Sequence, residues 1–216
     1  MTNNLFETQY DLTKKSKLRE FYEAKKIWIY SIIFLIIFFV LSYSYYKNRE
    51  ESKKILLSEN YIQAKVHLEN GNKVKALQIL KNITFSNDST YSTLSFFMIL
   101  NENLINDNKE ISELFDHILQ NNKFEKEIEN LLHYKKVLFK SGYVDEEEFL
   151  NEVKPILNSK ENLWKAHGLM LIGDFYFSKK EYIKAKDFYT QILAIKSLQP
   201  ELYEQAKTKL INIAND

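Results

Sequence analysis

The sequence predicts an all-α protein: one N-terminal transmembrane helix, then an α-solenoid of about four helix hairpins closed by a C-terminal capping helix. Three observations predict it. Twenty residues from Ile27 to Tyr46 carry no charge, breaker clusters recur about every 35 residues after them, and the 216 residues hold only four Gly and two Pro. So few turn formers exclude sandwiches and barrels, which need frequent punctuation. With 45% apolar residues the chain is long enough for one sizeable core beside the apolar run.

The apolar run comes first in the chain. Ile32 to Leu41 is an unbroken series of ten aliphatic and aromatic residues, and the whole stretch 27–46 has the length that crosses a bilayer core as a helix. Its Ile, Leu, Phe and Val side chains favour insertion by about 5 kcal/mol before polar corrections. Trp28 and Tyr30 stand at one end, and Tyr43, Tyr45 and Tyr46 at the other, where amphipathic rings prefer the two headgroup regions. Ser42 and Ser44 imitate a cleavage site. The 26 residues before the run, and its length, fit an uncleaved anchor better than a signal peptide.

Orientation follows from the flanking cations. Lys14, Lys15, Lys17, Arg19, Lys25 and Lys26 precede the span, against Lys47, Arg49, Lys53 and Lys54 after it. This bias puts residues 1–26 in the cytoplasm of a bacterium and residues 47–216 in the periplasm, with residues 27–46 crossing the inner membrane once.

Beyond the anchor, breakers fall at Gly71-Asn72, Asn106-Asp107-Asn108, Gly142-Tyr143 and Lys179-Lys180. Midway between them lie Ser86-Asn87-Asp88, Asn121-Asn122 and Asn158-Ser159. The intervening segments have apolar residues at helical spacing, which predicts paired helices over 50–70 with 73–85, 91–105 with 110–120, 124–141 with 145–157, and 161–178 with 181–196. Pro155 is expected to shorten or kink the helix that begins near Asp145. Pro200 suits the first turn of a final helix ending near Ile213.

The last hairpin carries a pattern in Leu169, Ile172, Gly173, Tyr176, Tyr182, Ala185, Tyr189 and Ile192. Its small residues, Gly173 and Ala185, fall where two paired helices approach most closely. The first hairpin repeats the spacing with Ala64, Gly71, Ala76, Leu80 and Ile83, Ala64 standing for Gly173 and Ala76 for Ala185. These two hairpins resemble tetratricopeptide repeats; the middle two keep the length and lose the small residues. A cytoplasmic segment, one anchor and a short array of such repeats together resemble the ancillary subunit of the bacterial Sec translocon. The resemblance implies partners in the translocon, in periplasmic chaperones and in newly exported chains. An adaptor for another envelope machine, such as cell division or envelope assembly, fits the same architecture.

The residues themselves offer no chemistry. His67, His117, His133 and His167 lack ligand spacing, and there is neither a cysteine nor a Gly-rich phosphate loop. Glu146, Glu147 and Glu148 follow Asp145, which reads as an N-cap with a solvated acidic turn. The expectation is a binding protein, not an enzyme, without cofactor, metal or small-molecule substrate. Thirty basic against twenty-nine acidic residues leave no footprint for nucleic acid. Stacked repeats curve so that the first helix of each hairpin lines a concave face. The register puts Tyr61, Lys65 and Leu68 there in the first hairpin, and Met170, Asp174 and Phe177 in the last. Two readings of that face stay open: a groove for protein ligands, or a surface covered by the chain's own helix after Pro200.

The charge bias generates a first prediction. Alkaline phosphatase fused after Asp216 will be active, and a reporter that works only in the cytoplasm will be silent there. The reverse pattern refutes the orientation.

Overall fold

A computed structural model describes residues 17–215, with side-chain environments from residue 21 to residue 214. Lys14, Lys15 and Asp216, and most of the segment 1–26, lie outside the described residues. Among the described residues there are nine helices and no strand: α1 (Lys17–Glu69), α2 (Lys73–Thr84), α3 (Ser89–Asn101), α4 (Asn108–Asn121), α5 (Lys126–Lys140), α6 (Glu146–Leu157), α7 (Asn162–Ser178), α8 (Tyr182–Leu193) and α9 (Pro200–Asn215). The chain divides into two units, 1–56 and 57–216.

In the first unit, α1 is the one described helix long and apolar enough to cross a membrane. The ten side chains from Ile32 to Leu41 are each 47–69% exposed, so this is not the core helix of a soluble domain. The expected break near residue 50 is absent: one helix runs from Lys17 to Glu69. No Gly or Pro precedes Gly71, and the polar stretch Lys47–Lys54 consists largely of strong helix formers. Nothing there interrupts the hydrogen-bond ladder.

The second unit begins with the last turns of α1 and stacks the remaining helices in chain order, adjacent helices packing on one another. The paired helices are α1–α2, α3–α4, α5–α6 and α7–α8, with α9 as the final layer. Asp88, Asp107 and Asp145 cap α3, α4 and α6, each accepting a backbone N–H at 2.9 Å, from Tyr91, Lys109 and Glu148. These caps satisfy donors that a helix start leaves open. Helix α3 ends at Asn101 instead of residue 105, because Asn103 turns left-handed (φ 49°) and the N–H of Leu104 bonds back to Ile99 at 3.0 Å. Pro155 lies in the last turn of α6, which at 12 residues matches α2 and α8 in length. So close to the C-terminus the proline has not shortened the helix.

The first and last hairpins turn alike. Gly71 (φ 74°) and Lys180 (φ 61°) occupy the same position of the repeat, both left-handed. The N–H groups of Asn72 and Glu181 then bond to the carbonyls of His67 and Tyr176 at 2.8 and 2.9 Å. Gly71 therefore serves the turn and not the packing: a Cβ added there would meet nothing within 4 Å. Packing is the task of Ala64, Ala76 and Ala185, each without exposed surface. Gly173 is tighter still. A Cβ on it would lie 2.7 Å from Cδ1 and 2.9 Å from Cζ of Tyr189. In the middle hairpins the equivalent pairs are Ile99 with Ile111 and Val137 with Phe149, all buried. Bulkier pairs hold the helices further apart, and α3 and α4 are among the least juxtaposed neighbours while α7 and α8 are the most.

Two hydrophobic cores result. One gathers Ala64, Leu80, Phe96, Phe115, Ile118 and Leu132 from α1 to α5. The other gathers Val137, Phe149, Ile172, Tyr189, Ile192 and Ala206 from α5 to α9. Helix α5 contributes to both.

The glycines give a sharp test. Gly173→Ala will destabilise the domain by about 1–3 kcal/mol through overpacking against Tyr189. Gly142→Ala, where an added Cβ meets nothing within 4 Å and φ is not positive, will shift stability by less than about 0.5 kcal/mol. Equal melting temperatures for the two variants contradict the packing described for Gly173.

Candidate protein-binding surface

Each first-helix residue singled out from the sequence has a definite place. In the first hairpin, Tyr61 is half-buried with its ring 6.3 Å from that of Tyr91, and burial raises its pKa. Leu68 is half-buried against the first core and Lys65 is exposed. In the last hairpin, Met170 is only 9% exposed. Asp174 accepts from Tyr189 Oη and from Lys209 Nζ of α9, both at 2.7 Å. Phe177 packs on Tyr182 at 5.5 Å between centroids, with Lys209 Nζ 6.0 Å from its ring centre. Helix α9 thus lies against this face, with Leu202 and Ala206 buried. Of the two readings left open for it, covering by the C-terminal helix describes the last hairpin.

The packing residues surround these positions. Leu169, Tyr176 and Tyr189 are buried, Tyr182 is half-buried, and Tyr176 Oη donates to Glu146 at 2.7 Å. Burial, joined by Glu146, pushes the Tyr176 phenol up; burial, joined by Asp174, does the same to Tyr189. These phenols stay protonated donors. His167 stands between Trp164 and Tyr134, at 5.6 and 5.3 Å between ring centres, and burial lowers its pKa. Burial also lowers that of His133, against the pull of Glu129. Among the described residues no group of His, Asp and Glu side chains could hold a metal ion.

The acidic turn after Asp145 is not merely solvated, as expected, and this is a correction. Glu146 bonds to Tyr176, and Glu148 pairs with Lys140. They border a network that spacing alone did not reveal. Lys136 Nζ lies 2.7 Å from Asp116 on α4 and 2.7 Å from Glu152 on α6, and Lys140 Nζ is 2.7 Å from Glu152. Both lysines are 7% exposed. Burial would push the Lys140 pKa down, yet its hydrogen bonds to Glu148 and Glu152 outweigh this and raise it. Burial would raise Glu152, and the two ammonium groups lower it instead. The only sequence signal was the matching i, i+4 spacing of Lys136 with Lys140 and of Glu148 with Glu152. Gly168 also went unread: its Cβ would sit 3.0 Å from Leu157 Cδ2, so it marks the closest approach of α6 to α7.

With this architecture in place, comparison with known proteins becomes informative. A curated relative from Buchnera aphidicola subsp. Schizaphis graminum (strain Sg) is 25% identical over 187 residues, 85% of this chain and 90% of the relative. It is an ancillary SecYEG translocon subunit. The chain is similar to that subunit over more residues than lie between Leu57 and Asp216, so the likeness reaches into the apolar helix. This is the family that the sequence itself resembles. No family model matches the chain, and no solved structure matches it.

The network predicts an acid limb of stability. The folded-state pKa of Glu152 is depressed, so its contribution is complete above the ordinary carboxylate pKa and is lost as pH falls through the lowered value. Glu152→Gln will lower stability at neutral pH by about 2 kcal/mol, because two buried ammonium groups lose a shared partner. It will also flatten the fall in melting temperature between about pH 5 and pH 3. A variant whose acid limb stays as steep as that of the parent chain contradicts this account.

Proposed function

We propose that this chain is an ancillary subunit of a bacterial Sec translocon that works by binding other proteins. Residues 27–46 anchor it in the inner membrane, residues 1–26 face the cytoplasm, and residues 47–216 form a periplasmic repeat domain. The single observation that carries this reading is the similarity to the ancillary SecYEG translocon subunit along 90% of that relative. An exposed apolar helix agrees with it, since side chains such as Phe34 and Phe39, 69% and 68% exposed, are stable in lipid and not in water. The domain holds periplasmic chaperones or newly exported chains beside the channel, with no reaction and no cofactor of its own. Its ligand-facing part lies toward the first three hairpins, where Lys65 and the open edges of Tyr61 and Leu68 are accessible. Met170, Asp174 and Phe177 serve first as the seat of α9.

The test is recovery of neighbours. The full chain, tagged and solubilised in mild detergent from its own membranes, is expected to bring down the translocon channel subunits at levels far above those seen with an unrelated single-span protein. Enrichment of a division or envelope-assembly complex without the channel refutes the translocon reading.

A further inference from the structure

A groove of about 500 Å³ separates the N-terminal halves of α3 and α5, and Leu94, Phe124 and Ile128 form its apolar lining. Leu94 and Ile128 are 44% and 41% exposed, and Ile128 begins a stripe that continues through Leu131 and Leu138 on the free face of α5. Along one wall runs the α4–α5 connection. Asn122 (φ −121°, ψ 153°) and Glu125 (φ −62°, ψ 148°) are extended. The backbone groups of Lys123 and Phe124 between them form no hydrogen bond among the described residues. On the opposite wall the hydroxyl of Thr90 is likewise uncommitted, and Glu125 makes no side-chain cap to α5. Elsewhere in the domain, backbone groups outside helices are largely consumed by turns and caps.

We propose that this groove holds an extended, uncharged apolar segment of another polypeptide, paired by its backbone with residues 122–125 and placing a side chain between Leu94, Phe124 and Ile128. An unpaired extended backbone beside an apolar slot is the arrangement that strand addition uses: main-chain bonds supply affinity and the slot selects alternate side chains. The size of the surface decides against a second copy of this chain. A stable dimer buries about 800 Å² and some 20–30 residues on each partner, whereas eight residues line this groove. Charge decides the class of segment. Lys123 and Lys126 at the mouth are balanced by Glu125 and Glu127, so no net charge on the ligand is favoured. The inference rests on the reading that this domain works by binding other polypeptides. It names where and in what conformation they are held.

The full chain in lipid nanodiscs is titrated into a short fluorescein-labelled peptide of alternating valine and serine, with anisotropy as the readout. The expected result is saturable binding, weakened at least about tenfold by Leu94→Glu or Ile128→Glu, because each puts an unpaired carboxylate into the apolar slot. N-methylation along one edge of the peptide will weaken binding as well. Ile183→Glu, at an aliphatic residue 82% exposed on α8, will not. Both groove side chains are exposed, so melting temperatures of the variants are expected to match the parent. Binding that survives both groove substitutions, or absent binding by a preparation that still copurifies with the translocon, overturns the groove and leaves the translocon reading standing. Sedimentation as a dimer that Leu94→Glu dissolves overturns it in favour of a second copy. Peptide bound as expected by a preparation that never recovers the translocon supports the groove and overturns the association instead.

Discussion

A helix hairpin has two apolar sides and can bury only one of them within itself, so every hairpin in this domain depends on the next. Most of the structure follows from that dependence. Helix α2 packs on α3, α6 on α7 and α8 on α9, and the array must end on a helix that presents a polar outer side. Helix α9 is that end. It buries Leu202 and Ala206 inward, and Lys209 ties it to Asp174. The face of the last hairpin closes as a consequence of capping, and the middle of the array stays open.

How closely helices approach sets how rigid each part is. Around Gly173 and Ala185 the backbones come near enough for Tyr189 to lie directly over the glycine, and its hydroxyl is fixed by Asp174. Around Ile99 and Ile111 the helices stand apart and the core is built from larger interdigitating groups, with Phe96 and Phe115 in edge contact at 4.5 Å. The seam between the two cores is electrostatic instead. Lys136 and Lys140 sit on α5 and reach carboxylates on both α4 and α6. Ion pairs of this kind add little net stability when complete, but losing one partner leaves a buried charge and is strongly unfavourable. The seam therefore fixes which helices meet more than it strengthens their meeting.

These features suit a protein that presents surfaces. Adhesion of a partner needs exposed apolar groups in a scaffold that does not collapse onto them. The tight last hairpin and its cap supply the rigid end. The wider second and third hairpins supply room for a groove between α3 and α5.

The sequence by itself determined the all-helical class, the apolar helix, the hairpin boundaries to within a few residues and the special status of Gly173 and Ala185. Those depend on local signals: hydrophobic period, capping Asp residues, scarcity of Gly and Pro, and a spacing shared by two repeats. Only the tertiary structure decided three other matters. It joined the membrane helix to the first repeat helix, because helix continuity depends on the absence of any breaker and not on the change of composition near residue 47. It brought Lys136 and Lys140 to Asp116 and Glu152, since charges on different helices meet only when the helices stack. It also laid α9 over Met170, Asp174 and Phe177, although the repeat register assigned them to an inner face. Register says which side of a helix a residue occupies; what finally covers that side depends on where the next helix finds its own apolar partner.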